Sequence, residues 1–406
     1  MEGEKERERI ECLVQQGFTP TLARNVLLAR SREHLPLTIW IVDNSASMRA
    51  RDGRKLVRTQ SQDDVRHVSC TRMEELKETV AYHAQMAALL EAPTKFLMLN
   101  GSDDGAYPQE LSIAERGSEW IDDDMEHFSE NFARVRPKGA TPLTNHLLRI
   151  YHSLLNTPTE GKIVLVLATD GKPTDTLGFV APSVDRHFEK ALKQLQSKAW
   201  IVIRLCTNDD TILKYYQKLD DELELSLEVL DDYTDEAKEV YQFNPWLTYS
   251  LCLHRCREMG MSCHPKFRFL DWLDERPLAR NEIGEVLKGT FGLIENNNSD
   301  SYTDKEYETI IKLSMSTQSD KDWNNFCELV QREQDTLALQ RKNKTKTKHN
   351  DDTELKAFFP WNPIQKRTTH WVDIGKLKRH GGKTPSLFWF GVLIIVLVAI
   401  YVQTIM

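Results

Sequence analysis

Oxygen-bearing side chains follow an apolar run near the start of the chain. Asp43, Ser45 and Ser47 stand at alternate positions directly after residues 37–42, which end in Trp40-Ile41-Val42. The run predicts a short strand buried on both faces, as in a parallel sheet. Open α/β sheets bind ligands just outside the carboxyl ends of their strands. One carboxylate and two hydroxyls at such a point are the ligands that a hard divalent cation prefers.

Two later junctions carry the same kind of side chain. Asp170 follows the most apolar predicted strand, residues 163–168, and Thr141 directly precedes a helix predicted to begin at Pro142. If these strands are neighbours, the oxygens meet at one rim and offer direct or water-bridged ligands to an octahedral Mg²⁺. Each residue alone also suits a helix cap, so the combination carries the prediction. The candidate metal ligands are Asp43, Ser45, Ser47, Thr141 and Asp170.

Alternating strands and helices must position these residues. Such alternation over about 200 residues predicts an α/β fold with a parallel sheet covered on both faces. The basic stretch 49–72 and the acidic stretch 100–131 are expected to be loops, the second a solvated insertion. The predicted strands are 37–42, 96–99, 163–168, 200–205 and 225–230, and the predicted helices are 73–90, 142–155, 184–196, 211–219 and 234–242.

The chain resembles the von Willebrand factor type A (VWFA) domain over residues 37–242. Asp43-x-Ser45-x-Ser47, Thr141 in Gly-Ala-Thr-Pro-Leu and Asp170 in Ala-Thr-Asp-Gly match the three parts of its metal-ion-dependent adhesion site (MIDAS). The resemblance implies a Rossmann-like, doubly wound, mostly parallel sheet that holds one Mg²⁺ or Mn²⁺. It also implies that the three hydroxyls bind the metal and that the two carboxylates bind it directly or through water. In that family an acidic side chain of the ligand often completes the coordination sphere.

One departure from the family concerns the interval between Ser47 and Thr141, which the basic and acidic stretches lengthen. Because these stretches flank the site, the type of ligand stays open. Thr144 is the less favoured threonine, since the family places its ligand directly before Pro-Leu.

The last twenty residues, 387–406, contain no charged side chain. At 1.5 Å per residue a helix of this length spans the roughly 30 Å hydrocarbon layer of a membrane. Trp389 and Tyr401 lie near its two ends, and a basic flank precedes it, which places the N-terminal side in the cytosol. The segment therefore predicts a tail anchor, with a buried core helix as the alternative. No basic residue follows it, which slightly favours the endoplasmic reticulum over the mitochondrial outer membrane.

Composition shifts divide the chain into five parts. These are an N-terminal helical segment (1–35), the VWFA-like domain (36–243), a mainly helical region (244–340), a linker (341–385) and the anchor (386–406). The third part contains Cys252, His254, Cys256, Cys263 and His264. These are zinc-type ligands, but their spacing lacks a second paired knuckle, which favours buried structural side chains over a zinc site.

The composition of the chain also argues against some classes of protein. The net charge of −8 argues against a nucleic-acid binder, because binding to phosphates needs concentrated positive charge. Seven unevenly spaced cysteines do not resemble a disulfide framework. The sequence therefore predicts a non-enzymatic, membrane-anchored protein whose cytosolic VWFA domain binds a protein ligand in a cation-dependent way. The alternatives are a metal-assisted phosphohydrolase at the same rim and a scaffold with a vestigial metal site.

Overall fold

A computed structural model describes residues 2–30, 34–58, 65–156, 161–223, 227–247 and 249–291. The helices are α1 (Glu2–Val14), α2 (Pro20–Ala29), α3 (Arg72–Leu90), α4 (Ile121–Phe132), α5 (Leu143–Asn156), α6 (Pro182–Leu195), α7 (Asp210–Leu223), α8 (Tyr233–Phe243), α9 (Leu251–Glu258) and α10 (Arg280–Val286). The strands are β1 (Thr38–Val42), β2 (Gly53–Arg58), β3 (Val65–Cys70), β4 (Thr94–Met98), β5 (Glu110–Ile113), β6 (Ile163–Thr169), β7 (Ala199–Leu205) and β8 (Leu227–Leu230). Short 3₁₀ segments are Ala46–Arg49, Ser118–Trp120, Met261–Cys263 and Pro265–Trp272, and a π-helical turn spans Leu287–Phe291.

Six strands form one sheet in the order β5-β4-β1-β6-β7-β8. All neighbours run parallel except β4 and β5, which run antiparallel. From β1 the chain builds the sheet first towards β4 and β5, and then returns to the other side of β1 with β6. The direction of winding therefore reverses between β1 and β6, which is where open α/β sheets bind ligands. The predicted α/β fold with a parallel sheet is confirmed.

Both faces of the sheet are covered, which explains why β1, β6 and β7 are buried at every position. On one face Trp40, Phe96 and Val166 pack with side chains of α3 and α4. On the other face Ile41, Leu165 and alternate residues of β7 pack with α5, α6 and α7. Successive side chains of one strand thus enter two separate cores, so an unbroken apolar run is needed.

A third core lies outside the sheet. It joins α1 and α2 to α8, α9 and the segments up to Phe291, and it takes in Tyr82, Met86 and Leu90 from α3. Residues at the two ends of the described chain therefore share one apolar cluster. Glu258 of α9 ties this layer to the sheet domain, because its buried carboxylate lies 2.9 Å from His83 Nε2 and 3.3 Å from Arg204 Nε.

The two stretches expected to be loops contain regular structure, so both expectations were wrong. The basic stretch forms the antiparallel hairpin β2–β3. The acidic stretch supplies the edge strand β5 and the helix α4. In α4 the side chains of Asp123, Glu126 and Glu130 face solvent, whereas Met125, Phe128 and Phe132, at helical spacing, are buried. Asp124 is also buried and accepts hydrogen bonds from the Ala114 amide and from Arg116. The density of acidic residues concealed this apolar stripe.

The remaining predicted elements agree with the structure to within a few residues at each end. Residues 292–406 lie outside the described residues, and with them the predicted linker, the predicted anchor and the end of the helical region. Within the described ranges, no helix combines the length and the apolar character needed to cross a bilayer.

Candidate metal centre

The switch point between β1 and β6 positions the first two candidate ligands. Val42 pairs with Ala168, and the next amide, that of Asp43, donates to the Ala168 carbonyl at 2.9 Å. Asp43 and Asp170 therefore leave the sheet side by side, one at the end of each central strand. A 3₁₀ segment, Ala46–Arg49, then turns the first loop back over the rim.

Both carboxylate oxygens of Asp43 are held. Oδ1 accepts a hydrogen bond from the Ser45 amide at 2.7 Å, and Oδ2 accepts one from the Thr169 hydroxyl at 2.7 Å. Asp43 is completely buried, and burial, followed by the nearby charge of Asp170, raises its pKa to about 6. The hydrogen bonds from Thr169 and Ser45 lower the pKa and oppose that rise. Thr169 was not among the predicted site residues, because its position beside Asp43 depends on strand order.

The two serine hydroxyls and Asp170 form a connected row. Ser45 Oγ lies 2.9 Å from Ser47 Oγ, and Ser47 Oγ donates to Asp170 Oδ1 at 2.8 Å. Ligand atoms at adjacent corners of a Mg²⁺ octahedron lie about 3 Å apart, since each is about 2.1 Å from the ion. The spacing of these three oxygens is therefore compatible with ligands of one small cation. The types of oxygen, hydroxyl and carboxylate, also fit Mg²⁺.

Thr141 lies in a loop that touches the other two loops. The Ala46 amide donates to the Gly139 carbonyl at 3.1 Å, which joins this loop to the one after β1. The Thr141 amide donates to Thr174 Oγ1 at 3.0 Å, and the Thr174 amide donates to the Thr141 carbonyl at 2.9 Å. The loop that contains Thr141 thus contacts the other two loops, and Thr141 itself is buried. Thr144, the second residue of α5, is also buried, and its hydroxyl has no hydrogen-bond partner in the structure.

Two asparagines that the sequence did not single out hold these loops together. Asn44 Nδ2 donates to the Asn100 carbonyl at 2.9 Å, and the Asn100 amide donates to Asn44 Oδ1 at 2.7 Å. Asn100 Nδ2 reaches the Ala140 carbonyl at 2.8 Å. Gly139 has a φ of +75°, and a Cβ there would lie 2.6 Å from Asn100 Oδ1, so glycine is required. The sequence feature that could have identified Asn100 is its position directly after the predicted strand 96–99.

Arg72 is a charged neighbour of the site that was not among the predicted site residues. Its Nη1 donates to Asp170 Oδ2 at 2.9 Å, and its Nε donates to Asp52 Oδ1 at 2.7 Å. Hydrogen bonding to Asp52, and then to Asp170, raises the pKa of Arg72. The guanidinium thus binds Oδ2 of Asp170, and Oδ1 accepts the hydrogen bond from Ser47. It also neutralises part of the negative charge of the two buried carboxylates.

The cysteine–histidine group does not converge as a zinc site would. Within the described ranges, its five side chains do not bring three ligand atoms together. Cys252 Sγ instead donates to the Gln16 carbonyl at 3.5 Å, and His254 Nδ1 lies 3.2 Å from the Tyr249 hydroxyl. Burial raises the pKa of the Cys252 thiol to about 12, so this buried side chain is a protonated thiol.

A separate acidic group consists of Glu236, Glu239 and Asp274. A guanidinium already faces it, because Arg257 Nη2 donates to Asp274 at 2.7 Å and Arg257 Nη1 donates to Glu236. Two of the three carboxylates thus belong to the ion pairs of Arg257, and the third, Glu239, is exposed.

No protein-family model and no curated protein matches this chain. Among solved structures, a chain of the pilus adhesin SpaC from Lactobacillus rhamnosus GG is similar at 12% identity and a TM-score of 0.32. The match covers 48% of this chain and 28% of the adhesin, so it spans less than a third of that chain's length. A likeness this distant carries no argument about fold or function.

Proposed function

We propose that the domain around the six-stranded sheet is a VWFA domain whose MIDAS holds Mg²⁺ or Mn²⁺. Ser45, Ser47 and Thr141 supply hydroxyls, and Asp43 and Asp170 bind directly or through water. The observation that carries the proposal is the row of oxygens Ser45–Ser47–Asp170 at octahedral spacing, at the switch point of the sheet. The fixed carboxylate of Asp43 next to it adds to the support.

The function proposed for the site is cation-dependent binding of a protein ligand through an acidic side chain. The charges of the site are compatible with this direction. A divalent cation brings two positive charges and Asp43 and Asp170 bring two negative charges, while Arg72 is shared between Asp170 and Asp52. The loaded rim is therefore close to neutral, and the cation itself is the group that would attract a carboxylate. The protein is accordingly proposed to be a binding protein and not an enzyme.

Titration of the purified full-length chain with MgCl₂ in a calorimeter tests the metal site. Ser47→Ala removes a hydroxyl from an exposed position, so the fold is expected to survive, and Mg²⁺ affinity is expected to fall about tenfold or more, the equivalent of about 1.4 kcal/mol. Ser153→Ala, at an exposed serine three turns along α5, is the matched control and should titrate like wild type. Equal Mg²⁺ affinities for wild type and Ser47→Ala would contradict the proposal.

The two alternative functions, a phosphohydrolase and a scaffold with a vestigial metal site, predict different results for the same variants. Absence of Mg²⁺ binding by the wild type would indicate a vestigial site. Mg²⁺ binding together with turnover across a panel of phosphoesters, lost in Ser47→Ala, would replace binding by phosphohydrolase activity. Partners captured in Mg²⁺ from wild type but not from Asp43→Ala are the expected result for the binding protein.

The membrane location is proposed from the sequence alone, because residues 387–406 lie outside the described residues. We expect that deletion of these residues moves the protein from the membrane pellet to the soluble fraction, since the segment supplies enough apolar length to span a bilayer. Deletion of the polar residues 341–352 is the control and should leave the protein in the pellet. A tail-deleted chain that still sediments with membranes would refute the anchor.

A further inference from the structure

Three large apolar side chains lie exposed on one short loop after β6. Leu177, Phe179 and Val180 have 79%, 65% and 59% of their surface accessible. Single exposed apolar residues are common on protein surfaces and need no explanation. Three within four residues, separated only by Gly178, form a concentrated apolar surface, which we name the apolar loop (residues 175–181).

The apolar loop is ordered by the side chain of Asp175 and by hydrogen bonds of its backbone. The amides of Leu177 and Phe179 both donate to Asp175 Oδ1 at 2.9 Å, and the Asp175 amide donates to the Phe179 carbonyl at 3.0 Å. Gly178 has a φ of +89°, which favours glycine at the tip. The turn is thus maintained by Asp175 and Gly178. The exposed apolar side chains add nothing to it, and polar residues would serve the turn equally well.

The apolar loop adjoins the candidate metal centre. Thr174, directly before it, exchanges two hydrogen bonds with Thr141. Gly178 packs against Ala140, the residue before Thr141, since a Cβ on Gly178 would lie 3.6 Å from the Ala140 Cβ. Asp170 begins the same connection. A ligand that reaches the metal would therefore have the apolar loop beside it.

The charges at the rim indicate what the ligand carries. Lys172 lies on the same connection, with its ammonium 4.7 Å from the centre of the Tyr215 ring. Arg49 stands two residues after Ser47 and is exposed, with its guanidinium bound to the Pro137 carbonyl. Lys172 and Arg49 thus lie on the two loops that carry Asp170 and Ser47, where their charges complement a carboxylate, whereas the apolar loop complements an apolar side chain.

We propose that the ligand is a protein segment with a bulky apolar side chain next to its metal-binding Asp or Glu, and that Leu177, Phe179 and Val180 contact that apolar side chain. This inference rests on the proposed function and names the class of partner. Because the loop is already ordered, contact with it costs little conformational entropy. Removal of two of its apolar side chains should weaken binding about tenfold or more.

Selection of random twelve-residue peptides on phage against the full-length chain in MgCl₂ tests the inference. Wild type should enrich peptides in which Asp or Glu lies within two positions of Leu, Ile or Phe. The double variant Leu177→Ser, Phe179→Ser should retain the carboxylate but lose the apolar preference, and it should bind a wild-type-selected peptide about tenfold or more weakly. Leu28→Ser, which removes an exposed leucine from α2, is the matched control and should bind like wild type.

Calorimetry with MgCl₂ tests the metal site separately from the apolar contact. The double variant should bind Mg²⁺ with wild-type affinity, because neither side chain is a metal ligand. Enriched carboxylate peptides without apolar neighbours, or equal peptide affinities for wild type and double variant, would overturn the inference and leave the metal site standing. Absence of both Mg²⁺ binding and Mg²⁺-dependent peptides would overturn the proposed function itself. Self-association in sedimentation experiments that the double variant abolishes would also overturn the inference, because a second copy would then be the occupant.

Discussion

At the scale of single residues, the rim is defined by two carboxylates kept close together and away from water. Asp43 and Asp170 are both buried, and the raised pKa of Asp43 reflects that burial first and the charge of Asp170 second. Arg72 compensates only part of this charge, because its guanidinium is shared with Asp52. The metal-free site is therefore under electrostatic strain, which here means repulsion between two close negative charges. A bound divalent cation would reduce this repulsion.

Replacement of Arg72 by glutamine should increase that strain. Without metal we expect the free energy of unfolding to fall on the order of 3 kcal/mol, because loss of one partner leaves the buried Asp170 uncompensated. Saturating Mg²⁺ should recover more stability in Arg72→Gln than in wild type, since the cation takes over the lost charge. Thermal unfolding with and without MgCl₂ measures both effects.

Arg49→Gln serves as the control, because it removes a nearby exposed guanidinium that binds only a carbonyl in the described structure. It should leave the Mg²⁺-induced gain unchanged. A gain in Arg72→Gln no greater than that of wild type would contradict the electrostatic account of the rim.

At the scale of elements, the acidic stretch shows how an apparent insertion becomes part of the core. Phe128 of α4 is almost fully buried, with its ring centre 5.0 Å from that of Phe96 and 4.9 Å from that of Phe132. The contact with Phe96 packs α4 against β4, the strand that ends two residues before Asn100. The helix therefore supports the strand that leads to Asn100, whose two hydrogen bonds with Asn44 join two loops of the rim.

Truncation of Phe128 to alanine tests this role. We expect the free energy of unfolding to fall by about 3–5 kcal/mol, because the substitution removes a buried ring and leaves a cavity. Urea unfolding measures the change. Glu126→Ala, on the exposed face of the same helix, should change the stability by less than about 0.5 kcal/mol. Similar values for the two variants would mean that α4 does not pack as described.

At the scale of the whole molecule, a buried cluster of charges joins the helical layer to the sheet. Arg257 of α9 faces three carboxylates, those of Glu228 on β8, Glu236 on α8 and Asp274. One guanidinium cannot compensate three negative charges, and burial raises the pKa of Glu228 to about 7 although Arg257 opposes the rise. The junction of the two layers should therefore respond to pH.

The direction of this response follows from proton binding. Between about pH 4.5 and pH 7 the folded protein retains a proton on Glu228 that the unfolded chain has lost. The contribution of this group to stability is therefore fully present below about pH 4.5 and is lost as the pH rises through about 7. We expect urea unfolding of Glu228→Gln to show a smaller loss of stability between pH 5 and pH 8 than wild type.

An exposed control, Glu126→Gln, should keep the wild-type pH dependence, since that side chain faces solvent. A Glu228→Gln protein that loses as much stability as wild type over the same interval would show that Glu228 does not hold the proton.

The sequence by itself determined the alternation of strands and helices. Unbroken apolar runs such as 163–168 can be buried only between two helical layers, and amphipathic segments such as 184–196 supply those layers. It also determined which oxygen-bearing side chains end the strands, because side-chain type and position are local properties. The candidate ligands Asp43, Ser45, Ser47, Thr141 and Asp170 could therefore be named before any fold was known.

Only the tertiary structure decided which of these junctions are neighbours. Asp43 meets Thr169, and Arg72 meets Asp170, because β6 returns beside β1 and α3 begins beneath the same rim. No local pattern encodes such pairs, since they depend on the order of strands and on the packing of helices. The same holds for the third core, in which α1 and α2 meet residues up to Phe291, because a buried apolar face specifies that it must be covered but not by which segment.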